Sequence, residues 1–232
     1  MRPLVISHRA CAGHAPENTL AGIRAALELG ADGIEIDVQT SADGVPVLMH
    51  DLSVDRTTTG SGEVAKLSLE ELRALDAGGE PVPTLAEVLA LTRGKALLVA
   101  ELKRPGAEAE IAAVVREAGA LSDVMVWSFF PQALEAMRRA EPRLPGALLI
   151  APQALASWPD LRELAVRLGL QGVSVFFAGV NEGIASDCQR SGLALYTWTP
   201  DAEPEMARFI ALGVDAICTN FPDRAIALLA RS

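Results

Sequence analysis

The residues of this chain that could do chemistry stand where its apolar runs end. Glu35-Ile36-Asp37 sets two carboxylates two residues apart within the run GIEIDV, and Glu101-Leu102-Lys103 repeats that spacing at the end of ALLVAEL. Side chains of a strand alternate between its faces, so each pair shares a side. A carboxylate buried alone is costly, so charges inside apolar runs need partners. Three converging acids repel one another unless something positive lies among them. Lys103 and Arg9 could provide it as an ion-pair network; a hard divalent cation held by oxygen ligands would satisfy all three acids together. With no histidine or cysteine in that set, Mg²⁺ or Ca²⁺ suits it better than Zn²⁺, and Mn²⁺ is admissible. A metal beside Arg9 and Lys103 makes a pocket for a phosphate group. His8, at the end of PLVIS, and His50 would flank it, one imidazole taking a proton from an attacking hydroxyl and the other giving one to a departing oxygen. Trp198 and Phe129, also at run ends, could wall one side of a ligand; for Phe129 ordinary packing serves equally well.

Other residues carry less. His14 lies in a loop containing Gly and Pro with no acid at metal-ligand spacing and is expected at the rim. Gly60-Ser61-Gly62 followed by Lys66 lacks the spacing of a phosphate loop. Cys11 has no evident neighbouring base and is expected to be inert.

The elements that must position these residues follow from the apolar pattern. Eight continuous runs begin at residues 3, 33, 96, 124, 146, 172, 193 and 214, each suited to a parallel strand covered on both faces, and helical patterns follow them. Eightfold alternation in 232 residues predicts an α/β fold of the (β/α)8 TIM-barrel type, a doubly wound open sheet being the rival. The barrel places its active site at the carboxyl ends of the strands, where His8, Arg9, Glu35, Asp37, Glu101, Lys103 and Trp198 fall. One interval breaks the rhythm. EIDVQTSADGVPVLMHD has no room for a crossover helix, but Asp43-Gly44 is a turn signal. The second strand is therefore expected to turn and return antiparallel through 45–49, delivering His50 to the mouth. Residues 52–82 form a small insertion, with a helix capped by Ser68 and Glu71, expected over the mouth as a partial lid. Thr84 and Glu87 predict a second capping box. The chain is expected to be one domain over residues 1–232.

Composition sets limits. Half of the residues are hydrophobic, 22% are charged and the net charge is -10. That fits a packed soluble core and argues against nucleic acid or an anionic membrane as partner, since no basic patch is present. Cys11, Cys188 and Cys218 are widely spaced, odd in number and without CxxC, and are expected as buried, reduced thiols. No apolar run approaches the roughly 18 residues of a membrane span, and no signal core precedes the first strand. A cytoplasmic location, no stable membrane association and a small-molecule substrate are expected.

Seven stretches then converge on one family. HRA at 8–10, PENT at 16–19, EIDVQTSADGVPVLMHD at 35–51, VPTLAEVL at 82–89, ELK at 101–103, YTW at 196–198 and GVDAICTNFPD at 213–223 resemble the glycerophosphodiester phosphodiesterase family, bacterial cytoplasmic type. They occur in the family's order and cover nearly the whole chain. The resemblance implies a distorted (β/α)8 barrel, a divalent metal on Glu35, Asp37 and Glu101, and His8 and His50 as the acid–base pair. It places Arg9 and Lys103 on the phosphate and Trp198 against the glycerol or alcohol portion. The implied reaction is hydrolysis of a glycerophosphodiester to an alcohol and glycerol 3-phosphate; in one proposed mechanism the substrate's own hydroxyl attacks phosphorus and water later opens the cyclic phosphate that forms. Two positions depart from the family: Ala10 where glycine is usual, expected to narrow the pocket or shift Arg9, and Asn220 where aspartate is usual. Three alternatives are weaker. A sphingomyelinase D or phospholipase D type lipid phosphodiesterase on this scaffold would carry a signal segment and disulfides. A non-catalytic phosphodiester-binding barrel would not keep every matched catalytic position. A sugar-phosphate isomerase or aldolase would leave both histidines without a role.

Overall fold

The computed structural model describes residues 2–231. Met1 and Ser232, the ends of the expected domain, lie outside the described residues, and with Ser232 the end of the last expected helical stretch. The strands are β1 (Leu4–Ser7), β2 (Gly33–Thr40), β3 (Pro46–Leu48), β4 (Leu97–Leu102), β5 (Val124–Ser128), β6 (Gly146–Ile150), β7 (Gly172–Phe176), β8 (Ala194–Trp198) and β9 (Ala216–Thr219). All except β3 pair in parallel, in the circular order β1, β2, β4, β5, β6, β7, β8, β9, and β9 pairs back onto β1. The barrel is closed and eight-stranded, as the alternation predicts, and the open-sheet rival is excluded. The helices are α1 (Leu20–Glu28), α2 (Leu69–Arg73), α3 (Leu85–Thr92), α4 (Glu108–Glu117), α5 (Pro131–Ala140), α6 (Trp158–Arg167), α7 (Glu182–Ser191), α8 (Glu203–Leu212) and α9 (Pro222–Leu229). None of the described helices is long and apolar enough to cross a membrane.

Two apolar layers explain why the strands read as continuous hydrophobic runs. Outward residues such as Ile34, Ile36, Leu98, Ala100 and Leu102 pack against the helices. Inward residues, among them Ile6, Val99, Met125, Leu149 and Tyr196, fill the barrel itself. Trp127 stacks on Tyr196 there at 5.4 Å between ring centroids, giving the site above it a dry floor.

The break in rhythm is a hairpin, as expected. Gly44 turns the chain at a φ of 81°, which glycine adopts without steric cost. β3 then pairs antiparallel with β2, Leu48 opposite Val38, and the Met49 N–H donates to the Asp37 carbonyl at 3.0 Å. Residues 52–82 fold around their own apolar cluster, in which Val54, Val64, Leu72 and Val82 pack on Val47 and Met49 of the hairpin. Both expected capping boxes are present, Ser68 with Glu71 on α2 and Thr84 with Glu87 on α3.

Candidate active site

Register brings the acids together. β2 and β4 pair so that Asp37 lies beside Glu101, and Glu35 stands two residues earlier on the same face. β1 and β2 pair Ser7 with Ile34, so the next residues in step are His8 and Glu35. One carboxylate oxygen from each of Glu35, Asp37 and Glu101 lies within 4.8 Å of the others. All three side chains are buried.

The positive groups are shared unevenly among these acids. Lys103 Nζ lies 2.7 Å from Glu101 Oε1 and 3.2 Å from Asp37 Oδ1, and Arg9 Nε lies 3.7 Å from Asp37 Oδ2. Glu35 Oε2 accepts the Arg9 backbone N–H at 2.8 Å. Its Oε1 is buried with no hydrogen-bond partner among the described residues, and so is Arg9 Nε. An orphaned acceptor marks a place for a cation and an orphaned guanidinium donor a place for an anion. The ionisation follows the same division. Burial raises Asp37, but Lys103, His50, Asn18 and Arg9 together outweigh it and hold the carboxylate below its usual value. Burial and the neighbouring acids push Glu101 up to about 7 and Glu35 well above its usual value. Burial lowers Lys103, yet Asp37 and Glu101 hold its ammonium above the ordinary value. The ion-pair network and the metal reading are thus compatible. The pairs serve Asp37 and Glu101; among the described residues no lysine or arginine side chain pairs with Glu35.

His8 and His50 each have Nδ1 occupied from behind. Asn220 Nδ2 donates to Asp201 Oδ2 at 2.7 Å. This turns Asn220 Oδ1 toward His8 Nδ1, 2.8 Å away, so the ring carries its hydrogen on Nδ1. His8 Nε2 is then the free acceptor, 4.0 Å from Glu35 Oε2. Burial pushes His8 below the usual imidazole value. His50 Nδ1 meets Asp51 Oδ1 at 2.6 Å. Both rings line one cleft together with Arg9, Glu35, Glu101 and Lys103. Its opposite wall is apolar, with Phe129 and Trp198 edge to face at 5.5 Å. The Trp198 Nε1–H donates to the Ser174 carbonyl, which fixes the indole.

Backbone geometry at the first loop accounts for one departure from the family pattern, and a side-chain partner accounts for the other. Arg9 and Ala10 have φ values of 48° and 70°, a left-handed bend that aims both N–H groups at Glu35, the Ala10 N–H reaching its carbonyl at 2.7 Å. The bend explains why glycine suits position 10. The Ala10 methyl does not narrow the cleft: it faces α1, where a Cβ on Gly22 would come within 3.0 Å of it. Asn220 fits beside Asp201 because it donates; an aspartate there would set carboxylate against carboxylate.

Chain-wide comparison supplies the lineage. The model of the glycerophosphoryl diester phosphodiesterase family matches residues 8–224. The chain is 37% identical over 243 residues, 99% of it and 98% of the relative, to a glycerophosphodiester phosphodiesterase of Caldanaerobacter subterraneus subsp. tengcongensis. This chain belongs to the glycerophosphoryl diester phosphodiesterase family. Membership makes it a phosphoric diester hydrolase. Two solved phosphodiesterase structures are similar throughout. One, a glycerophosphodiester phosphodiesterase of Agrobacterium tumefaciens, is 31% identical with a TM-score of 0.85, covering 97% of this chain and 99% of that one. The other, a phosphodiesterase of Oleispira antarctica in complex with its product sn-glycerol-3-phosphate, is 29% identical with a TM-score of 0.87, covering 99% and 97%.

Around this cleft the structure brings in residues to which the sequence alone gives no role of their own. Asn18, at a φ of 56°, clasps Asp37: its Nδ2 donates to Asp37 Oδ2 at 2.7 Å and its Oδ1 accepts the Asp37 N–H at 3.0 Å. Glu17 meets Arg9 Nη1 at 3.4 Å and Arg56 Nη2 at 2.7 Å. Asp201 stands behind Asn220. His14 lies in the first loop, as expected, and has a partner far along the chain. Its Nε2 lies 2.8 Å from Asp223 Oδ1 on α9, tying the first loop to the last helix. Cys11, Cys188 and Cys218 are buried free thiols, and burial raises all three above their usual value.

Proposed function

We propose that the enzyme hydrolyses glycerophosphodiesters to an alcohol and glycerol 3-phosphate with a divalent cation and two histidines. The observation that carries this reading is the buried carboxylate trio with an unpartnered Glu35 oxygen in a cleft shared with His8 and His50. Glu35, Asp37 and Glu101 would hold the ion. Their all-oxygen donor set favours Mg²⁺ or Ca²⁺, with Mn²⁺ admissible. When bound, that ion supplies Lewis-acid stabilisation of charge on the phosphoryl oxygens and activation of the attacking hydroxyl.

The chain's own groups do the rest. Arg9 and Lys103 bind and orient the phosphate, and Trp198 with Phe129 packs against the glycerol or alcohol portion and excludes water. His8 and His50, each anchored at Nδ1, present Nε2 to the diester. One ring removes the proton from the attacking glycerol hydroxyl and the other delivers one to the leaving alcohol oxygen, which leaves a cyclic phosphate. Water then opens the ring with the proton transfers reversed and gives glycerol 3-phosphate. The product held by the Oleispira antarctica phosphodiesterase is consistent with glycerol 3-phosphate as the species released. The protein acts as a single domain in the cytoplasm on a small soluble diester, with residues 52–82 closing one side of the mouth.

The test is a panel of glycerophosphodiesters, glycerophosphocholine first, assayed for glycerol 3-phosphate with Mg²⁺, Ca²⁺ and Mn²⁺. Activity is expected with a divalent ion and not with excess chelator. His8→Ala and His50→Ala are each expected to lower kcat by about 10²–10⁴-fold. Full rate after verified metal removal would refute the metal assignment, and a near-normal rate in either variant would take that histidine out of the mechanism.

A further inference from the structure

Arg56 lies in the 52–82 segment, outside every matched catalytic position, yet its guanidinium joins two loops of the mouth. Its Nε and Nη2 donate to Asp51 Oδ2 and Oδ1 at 2.6 and 3.1 Å. Its Nη1 and Nη2 donate to Glu17 Oε2 and Oε1 at 3.0 and 2.7 Å. Both carboxylates are held bidentately, one on the side of the fork and one on its end, by four of the five N–H donors a guanidinium has. Beyond Asp51 is His50, at 2.6 Å; beyond Glu17 is Arg9, at 3.4 Å. We propose that Arg56 is a positioning residue for the phosphodiesterase reaction, fixing Asp51 so that Asp51 sets the direction and tautomer of His50. This rests on the reading of His50 as a catalytic acid–base group.

Three considerations favour direction over stability as its role. The Arg56 side chain is 48% exposed, and exposed ion pairs contribute little to folding. Asp51 could turn about its own torsions without a second anchor, because among the described residues its other side-chain hydrogen bond is to His50 itself. A lysine, which presents a point charge instead of a planar fork, cannot hold both carboxylates in plane at once. The segment that looks like a lid is thereby also the back support of one catalytic ring.

The test compares wild type, His50→Ala, Arg56→Ala, Arg56→Lys, Asp51→Ala and the Arg56→Ala/Asp51→Ala double variant on glycerophosphocholine with Mg²⁺. Arg56→Ala is expected to lower kcat about 10–100-fold, as loss of an orienting partner does, with KM within about threefold and little change in Tm. Arg56→Lys recovers only a minor part of the rate. The double variant falls no further than Asp51→Ala alone, since both act through one ring. Added methylguanidinium raises the rate of Arg56→Ala and leaves Asp51→Ala unmoved. In ¹H–¹⁵N spectra the protected Nδ1 proton of His50, assigned by its absence in His50→Ala, is lost in Arg56→Ala. Wild-type kcat in Arg56→Ala beside a disabled His50→Ala would overturn the proposal, as would additive losses in the double variant. A fully active His50→Ala would instead overturn the acid–base reading. The spectrum then decides for Arg56 alone: a retained Nδ1 proton counts against it and a lost one for it.

Discussion

Glu35 is the residue whose surroundings are least balanced. Its neighbours hand their positive charge to Asp37 and Glu101, and one of its own oxygens has nothing to accept from among the described residues. Such a group costs stability until a cation arrives, so function and stability should part company when it is neutralised. Glu35→Gln keeps an oxygen for the Arg9 N–H and turns an amide toward the acids. The metal-free variant is expected to be more stable than the wild type by about 1 kcal/mol or more, while calorimetric titration shows Mg²⁺ binding weakened at least tenfold. A lower melting temperature for the metal-free variant would show that the chain does compensate Glu35. The same imbalance explains which site residues could be seen in the sequence. A carboxylate or lysine inside an apolar strand run demands an account, which is how Glu35, Asp37, Glu101 and Lys103 stand out. Glu17, Asn18, Asp51, Arg56 and Asp201 do their work from loops, where polar residues are ordinary. Only folding brings Arg56 to Glu17 across 39 residues.

Among the elements, α3 shows how local signals hold the mouth in place. Thr84 and Glu87 cap each other's backbone N–H groups, Glu87 also takes Arg73 of α2 at 2.6 Å, and Thr84 bridges to Val47 of the hairpin. One cap thus joins a barrel helix to the 52–82 segment. Thr84→Ala is expected to cost about 1 kcal/mol, seen as a small drop in melting temperature, with kcat unchanged because no site residue is touched. A fall in kcat beyond twofold would mean that the cap also sets the position of His50. The capping boxes, the eight strands and the hairpin turn were legible because each has a local physical signature. The 3-10 turns at Pro152–Ser157 and Phe177–Gly179, following β6 and β7, were not. Such short turns leave no 3.6-residue apolar period to read, and the first of them hid the start of α6 at Trp158.

At the scale of the whole molecule, a closed barrel packed with apolar side chains below its mouth leaves the carboxylate trio no water to retreat into. The metal-free protein should therefore report those acids in its overall stability. Glu101 is raised to about 7, and Glu35 stands well above its usual value, against an ordinary glutamate value near 4.3. From pH 4.3 upward the folded state keeps protons that the unfolded chain has released, so stability falls as pH rises through about 7. Asp51 and Glu17, held below their usual values by Arg56, act in the opposite sense, but their contribution is lost only below about pH 4. His8, pushed below its usual value, also opposes the trend beneath about pH 6.5. A comparison with Glu101→Gln separates these effects, because Asp51, Glu17 and His8 are common to both proteins. Thermal melts in chelator at pH 5, 6, 7 and 8 are expected to show the variant gaining on the wild type with each step. Mg²⁺, which binds the ionised acids, is expected to raise the wild-type melting temperature more at pH 8 than at pH 5. If wild type and variant keep a constant difference across that range, the trio is already ionised and balanced without a metal, and the case for a cation at the barrel mouth falls with it.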